Sequence, residues 1–209
     1  MFEIRIHGRG GQGVVTAAEL LSIAAFREGR HAQAFPSFGS ERTGAPVLAF
    51  CRIDEKTIRS REPIALPDAL IIQDPTLLHM PGIFNGLSDE GYVLINSKKT
   101  PAELGLASIE HKLPEGHVIC VSATELAMKF IGRPIPNAAL LGAFAALTGQ
   151  VSINSVSQAI REKFKGDIAE KNILAATAAS EAAQREQTEE INILESEIAE
   201  EKKLEEEIC

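Results

Sequence analysis

Cysteine is scarce in this sequence. Its 209 residues include only three, Cys51, Cys120 and Cys209, and they lie far apart. A zinc knuckle, a redox CxxC pair and an iron–sulfur ligand run all need cysteines a few residues from one another, so the sequence argues against all three. Cys51 and Cys120 stand within apolar runs, which predicts buried, inert thiols. Reduced thiols are typical of a cytosolic protein.

Long apolar runs are also absent. No segment approaches the roughly 18 consecutive apolar residues of a membrane span. At the N-terminus, charged or polar residues interrupt the apolar positions at Glu3, Arg5, His7 and Arg9, so no signal-peptide core forms. We therefore expect a cytoplasmic protein with no membrane partner.

Net positive charge is absent, because residues 1–185 are neutral overall. From Glu186 to Glu207 there are ten glutamates against Lys202 and Lys203, which accounts for the entire net charge of −8. No clustered basic patch of a nucleic-acid-binding protein is present. We predict two parts, an α/β domain over residues 1–185 and an acidic, partly helical tail over residues 186–209. Such like-charged blocks are usually solvated; the alternative is a docking arm for a partner subunit.

Two common signatures of catalysis are missing. There is no Gly-x-Ser-x-Gly nucleophile elbow, which leaves a hydrolase with little support. The five histidines show no metal-ligand spacing. We therefore predict no catalytic residue and no metal site in this chain.

Strands that alternate with helices dominate residues 2–185. Most of the strands are continuous apolar runs, as expected for a sheet buried on both faces. The sequence predicts an α/β fold: a mostly parallel sheet with helices on both faces, a Rossmann-like glycine turn and a helical C-terminal third. The predicted strands are 2–7, 31–35, 47–53, 69–73, 92–96 and 117–122, and the predicted helices are 14–30, 123–131, 137–148, 156–164 and 168–184.

A glycine cluster joins the first strand to the first helix. Glycines permit positive φ and close backbone approach, and the helix that follows offers unpaired N–H groups to a phosphate. Arg9 can add charge-assisted hydrogen bonds. The alternative is a tight turn that binds nothing. The cluster satisfies G-x-G-x-x-G and consists of Gly8, Arg9, Gly10, Gly11, Gln12 and Gly13.

A free-standing dinucleotide-binding oxidoreductase is the first rival interpretation. Such a site needs an acidic residue at the end of the second strand to hold the ribose hydroxyls. The segment His31–Pro36 has none, and the nearest carboxylates, Glu28 and Glu41, are not on that strand. The missing acid argues against NAD or FAD.

A second loop, rich in glycine and flanked by prolines, follows the second predicted strand. It contains Ser37, Glu41 and Arg42, and functional residues concentrate in such loops. The alternatives are a surface ion pair, contributing at most about 1 kcal/mol, and a turn stabilised by Ser37.

The ordered set of segments resembles a known family. Gly8–Gly13 is followed by Phe35-Pro-Ser-Phe-Gly-Ser-Glu-Arg-Thr-Gly-Ala-Pro46, Asp68-Ala-Leu-Ile-Ile-Gln-Asp74 and Pro136-Asn-Ala-Ala-Leu-Leu-Gly142. Together they resemble the γ subunit of pyruvate:ferredoxin oxidoreductase and its 2-oxoisovalerate relatives. Thr43 stands where that family usually has a second arginine. The second segment looks more like the pyruvate branch than the 2-oxoglutarate branch.

The resemblance implies a function that the residues alone do not reveal. These multi-subunit enzymes decarboxylate a 2-oxoacid on thiamine diphosphate held through magnesium, reduce ferredoxin through iron–sulfur clusters and release an acyl-CoA. This sequence has no Gly-Asp-Gly segment for thiamine diphosphate and no cluster cysteines. We therefore expect a γ subunit that is inactive alone and holds no cofactor, with α, β and ferredoxin-like δ partners.

The resemblance also implies where this chain contributes. The glycine loop is expected to contact a phosphate or coenzyme A, and Ser37, Glu41 and Arg42 are expected to face a subunit interface or coenzyme A. A non-catalytic scaffold is the second rival interpretation.

Overall fold

The protein, described here as a computed structural model, is built on one six-stranded sheet. The structure describes residues 1–37 and 43–208, with side chains as far as Thr188. The strands lie in the order β2-β3-β1-β4-β5-β6. Their bounds are Phe2–Arg9 (β1), His31–Pro36 (β2), Pro46–Asp54 (β3), Ala69–Ile72 (β4), Tyr92–Asn96 (β5) and Val118–Val121 (β6).

Five of the six strands run in the same direction. β1, β4, β5 and β6 pair in parallel, whereas β3 is antiparallel to both β1 and β2. The prediction of a mostly parallel α/β sheet is confirmed. The sequence did not reveal that β3 enters the sheet between β1 and β2.

In the described part of the chain, six α-helices and two short 3₁₀ turns cover the sheet. Val14–Arg27 (α1) joins β1 to β2, and the other helices follow β5 or β6. The 3₁₀ turns are Pro75–His79 and Ala102–Leu104, and the remaining helices are Ala107–Glu110 (α2), Ala123–Phe130 (α3), Asn137–Thr148 (α4), Ile153–Lys163 (α5) and Gly166–Ile208 (α6).

The apolar core has two parts, one on each face of the sheet. On the first face, Ile4, Ile71 and Leu94 pack beneath α1, α4, α5 and α6. On the second face, Ile72 and Ile95 pack against side chains from the first 3₁₀ turn and the segments around it. Both faces of the sheet are therefore buried over β4 and β5, which explains why β4 and the central residues of β5 are apolar.

Helix α4 is the centre of the larger core. Its residues from Asn137 to Ala145 are all buried, and it packs along α6. Small side chains let the two helices approach closely, since Gly142 of α4 faces the backbone of Ala176. The helical C-terminal third is thereby joined to the sheet and is confirmed as part of the fold.

Helices α4 and α6 run in the same direction. Asn137, at the start of α4, lies against Gly13 at the carboxyl edge of the sheet. At the opposite edge, Gln187 of α6 donates to the backbone oxygens of Gly116 and Leu147 at 3.3 and 3.4 Å. From there the helix continues to Ile208, about 30 Å at 1.5 Å per residue. The domain boundary at residue 185 stays a prediction.

No helix within the described part of the chain has the length and apolarity to cross a membrane.

Candidate functional site at the glycine loop

The glycine loop lies at the switch point of the sheet. The chain passes from β1 through α1 to β2 on one side, whereas β4, on the other side of β1, continues outward to β5. In open α/β sheets, ligands gather at the carboxyl ends of strands where the order reverses in this way. Gly8–Gly13 leaves β1 at this point, and Asp74 follows β4 there.

Close packing explains two of the glycines. A Cβ at Gly8 would lie 2.6 Å from Cγ2 of Val14, and one at Gly13 would lie 2.5 Å from Nδ2 of Asn137. Gly13 also has a φ of +74°, which other residues rarely adopt. The loop is therefore pressed against both α1 and α4.

Asp74 ties the loop to β4. Its Oδ2 accepts hydrogen bonds from Nε of Arg9 at 3.1 Å and from Nε2 of Gln12 at 3.0 Å, while Oδ1 accepts from the backbone N–H of Thr76 at 3.0 Å. Burial acts to raise the pKa of Asp74, but the hydrogen bonds from Thr76 and Gln12 and the charge of Arg9 outweigh it, so the pKa is lowered. Asp74 is therefore a carboxylate that orients Arg9 and Gln12.

Three hydrogen bonds hold the side chain of Arg9 in place. Besides its bond to Asp74, Nη1 donates to the backbone oxygen of Gly44 at 3.1 Å and Nη2 donates to Oγ1 of Thr76 at 2.7 Å. A guanidinium carries five N–H groups, so two have no partner among the described residues. The side chain is 33% exposed. Arg9 is therefore fixed in place and still open to solvent.

The two loops singled out from the sequence meet at Gly10. Its N–H donates to the oxygen of Ala45 at 2.9 Å, and its oxygen accepts from the N–H of Gly44 at 3.1 Å. Ser37 is exposed at the other end of this second loop, where its N–H donates to Leu48 at 2.8 Å. Glu41 and Arg42 lie outside the described residues.

A cleft of about 450 Å³ opens between the two loops and α1. The first α1 bond runs from the N–H of Ala17 to the oxygen of Gly13 at 2.9 Å, so the three preceding N–H groups have no partner within the helix. The first turn carries no acidic residue. The cleft therefore suits an anion; it is lined by Arg9, Gly10, Gly11, Gly13, Val14, Val15, Thr16, Thr43 and Val47.

Two buried amides beside the loop were not singled out from the sequence. Asn137 is only 4% exposed, and its Nδ2 points toward Gly13. Gln73 is fully buried next to Gly8, and neither polar atom of its side chain has a hydrogen-bond partner in the described part of the chain. In the sequence, Pro136 before Asn137 predicted the start of a helix but gave no indication that Asn137 adjoins the glycine loop.

Comparison with known proteins identifies the family. The pyruvate ferredoxin/flavodoxin oxidoreductase family matches residues 3–182, which include the sheet, both loops and most of the helical third. The chain belongs to this family. The resemblance read from its motifs is thus confirmed.

Its relatives in the pyruvate ferredoxin/flavodoxin oxidoreductase family are small subunits. The pyruvate/ketoisovalerate oxidoreductases common subunit gamma of Thermococcus kodakarensis is 49% identical over 86% of this chain and 95% of the relative. The pyruvate synthase subunit PorC of Methanocaldococcus jannaschii is 49% identical over the same shares. The crystal structure of the pyruvate oxidoreductase subunit PORC from Thermotoga maritima has a TM-score of 0.73 and 36% identity, over 86% of this chain and 95% of that one.

For this member of the oxidoreductase family, the geometry argues against the dinucleotide-binding alternative. β3 separates β2 from β1, so the end of β2 is not beside the glycine loop as a ribose-binding acid would have to be. The strand also carries no acid.

Among the described residues of this chain, no group of three or more His, Cys, Asp or Glu side chains is placed to hold a metal ion. Cys51 and Cys120 are both buried, as predicted, and burial raises the pKa of the Cys51 thiol to about 12.

Proposed function

We propose that this chain, as the γ subunit of a 2-oxoacid oxidoreductase complex, holds a phosphate of coenzyme A at its glycine loop. Pyruvate is the proposed 2-oxoacid, because relatives at 49% identity are named for pyruvate or for pyruvate and ketoisovalerate. The complex would convert it to acyl-CoA and CO2 while reducing ferredoxin.

The observation that carries the proposal is that hydrogen bonds fix Arg9 in place at the edge of a cleft. Three of its N–H groups are used within the described part of the chain, and its side chain lines a cleft that is also lined by the first residues of α1, whose N–H groups have no partner within the helix. A fixed cation beside a helix N-terminus is suited to phosphate. Coenzyme A is the phosphate-rich substrate of such enzymes that enters from solvent and leaves again.

The carbon chemistry is proposed to occur on other subunits. The described residues provide no ligand set for iron–sulfur clusters or for the magnesium of thiamine diphosphate. We therefore assign these groups to α, β and ferredoxin-like δ partners in a cytoplasmic hetero-oligomer that reduces ferredoxin. The 2-oxoglutarate:ferredoxin oxidoreductase of Magnetococcus marinus, whose structure holds coenzyme A, shares the fold at 18% identity and a TM-score of 0.65.

The test is steady-state kinetics of the assembled enzyme with Arg9→Ala. A charged hydrogen bond contributes about 1.5–3 kcal/mol, and each 1.4 kcal/mol is about tenfold, so KM for coenzyme A should rise about tenfold or more. KM for pyruvate should stay within about twofold, since pyruvate binds on other subunits.

Arg161→Ala is the matched control, because Arg161 is an exposed arginine whose ion pair in the described part of the chain is with Glu170, on the α5–α6 surface. It should change neither KM. Poorer assembly of the Arg9 variant with a normal KM for coenzyme A in the surviving complex would reject the proposal and leave the chain as a scaffold.

A further inference from the structure

A second cleft, of about 480 Å³, lies at the carboxyl ends of β4, β5 and β6. Its walls come from the first 3₁₀ turn, the segment after β5 and the start of α3. Most of the lining side chains are polar or positively charged. They include Thr76, His79, Asn96, Lys98, Lys99 and Thr124.

A hydrogen bond joins a residue that lines this cleft to a residue that lines the glycine-loop cleft. Arg9 lines the first cleft and Thr76 lines the second, and Nη2 of Arg9 donates to Oγ1 of Thr76 at 2.7 Å. A ligand with two separate anionic groups could therefore reach both clefts across the Arg9–Thr76 pair.

Lys99 supplies the uncompensated charge of the second cleft. Lys98 is paired with Glu125, so these two side chains offset each other. The ammonium group of Lys99 has no carboxylate partner among the residues that the structure describes. An added anion would therefore find its counter-ion in Lys99.

The backbone around Lys99 is anchored on both sides. The N–H of Ser97 donates to Val121 at 3.1 Å, and the N–H of Lys99 donates to Oγ of Ser97 at 2.9 Å. Next along the chain, Thr100 and Glu103 exchange hydrogen bonds of 2.9 and 3.2 Å. Less entropy is lost on binding when a site is already ordered.

The hydroxyl group of Thr124 is a further hydrogen-bond donor in this cleft. Asn96 is 8% exposed; its Nδ2 donates to Oγ1 of Thr124 at 2.7 Å, and its Oδ1 accepts from the N–H of Thr124 at 3.0 Å. Because the Thr124 hydroxyl already accepts, its own hydrogen is available to donate. Asn96 thus holds Thr124 in position in the cleft that Lys99 also lines.

We infer that this cleft is a second phosphate subsite, in which Lys99 and Thr124 bind one phosphate group of the coenzyme A molecule whose other phosphate group meets Arg9. The inference rests on the proposed function. Coenzyme A carries a pyrophosphate and a separate ribose phosphate, so it has two anionic groups to place.

The experiment compares coenzyme A with dephospho-coenzyme A, which lacks the ribose phosphate, in the assembled enzyme. Lys99→Ala should raise KM for coenzyme A about fivefold or more and leave KM for dephospho-coenzyme A within about twofold. Lys99→Arg should retain most of the wild-type affinity. Lys112→Ala, at an exposed lysine between α2 and β6, is the matched control and should change neither.

Each outcome has a separate meaning. An equal rise for both thiols also supports the subsite but assigns it to the pyrophosphate. No rise for either thiol overturns the subsite, even if Arg9→Ala still raises both values. Failure of the proposed function itself looks different, because Arg9→Ala would then leave both values unchanged.

Discussion

Gly142 of α4 and Ala176 of α6 approach so closely that a Cβ at position 142 would overlap the carbonyl oxygen of Ala176. Alanine is favoured over glycine within a helix by about 1 kcal/mol, yet overpacking a core costs about 1–3 kcal/mol. Backbone cannot move aside as a side chain can, so the cost should exceed the gain, and we expect Gly142→Ala to destabilise the chain by about 1–2 kcal/mol in urea unfolding. A variant more stable than wild type would show that the helices are not in contact here.

His7 should make stability depend on pH. Burial and then the charge of Arg5 lower its pKa to about 4, against about 6.5 in the unfolded chain. Between these values the unfolded chain binds the proton and the folded chain does not. The stabilisation is therefore complete above about pH 6.5 and is lost as pH falls toward 4, by about 3 kcal/mol. Urea unfolding of wild type and His7→Leu across this range should show a smaller slope for the variant; equal slopes would contradict the assignment.

Gly13 and Gly11 form a matched pair within the glycine loop. Both have positive φ, +74° and +97°, so alanine is strained at either position. Only at Gly13 does a Cβ meet another side chain, that of Asn137. We expect Gly11→Ala to cost about 1 kcal/mol and Gly13→Ala clearly more, measured by thermal unfolding. Equal losses would mean that Asn137 moves aside freely.

Gln73 should be replaceable without loss of stability. Its amide is buried with no hydrogen-bond partner among the described residues, and such a group costs about 1–3 kcal/mol. Gln73→Met keeps a similar volume and removes the polar atoms, so the free energy of unfolding should rise by about 1 kcal/mol. A fall of that size would indicate that the amide is satisfied by an internal water.

Removing residues 189–209 should leave the melting temperature of the isolated chain nearly unchanged, because a run of glutamates buries little apolar surface. Ending the chain at residue 186 instead also removes Gln187, which donates to Gly116 and Leu147, and should cost about 1–2 kcal/mol. A large loss already at the first truncation would show that the tail packs on its own domain.

The elements that the sequence predicted well are those with strong local signals. The bounds of α4 were predicted as observed, since Pro136 and Gly149 delimit an uninterrupted apolar stretch. α2 and the 3₁₀ turns, at three to five residues, are too short to show a periodicity. The place of β3 depends on which strand pairs with which, and alternation within a strand does not encode its neighbours.

The site was predictable only in part for the same reason. Glycines between a strand and a helix predict a phosphate-binding loop, and the sequence alone places Arg9 within it. Asp74, Thr76 and Asn137 come to the loop from more than 60 residues away. Each is a single polar residue with no motif of its own, so only the folded chain reveals that it orients Arg9 or adjoins Gly13.

Because α4 and α6 are parallel, the glycine loop and the C-terminal part of α6 lie toward opposite edges of the sheet. Gln187 of α6 contacts the edge of the sheet opposite the glycine loop, and the helix continues to Ile208. A fluorophore or purification tag placed after Ile208 would consequently stand tens of ångströms from the glycine loop, at about 1.5 Å per helical residue. Such a label could report the binding of a partner chain in real time while ligand binding at the glycine loop is measured independently in the same sample.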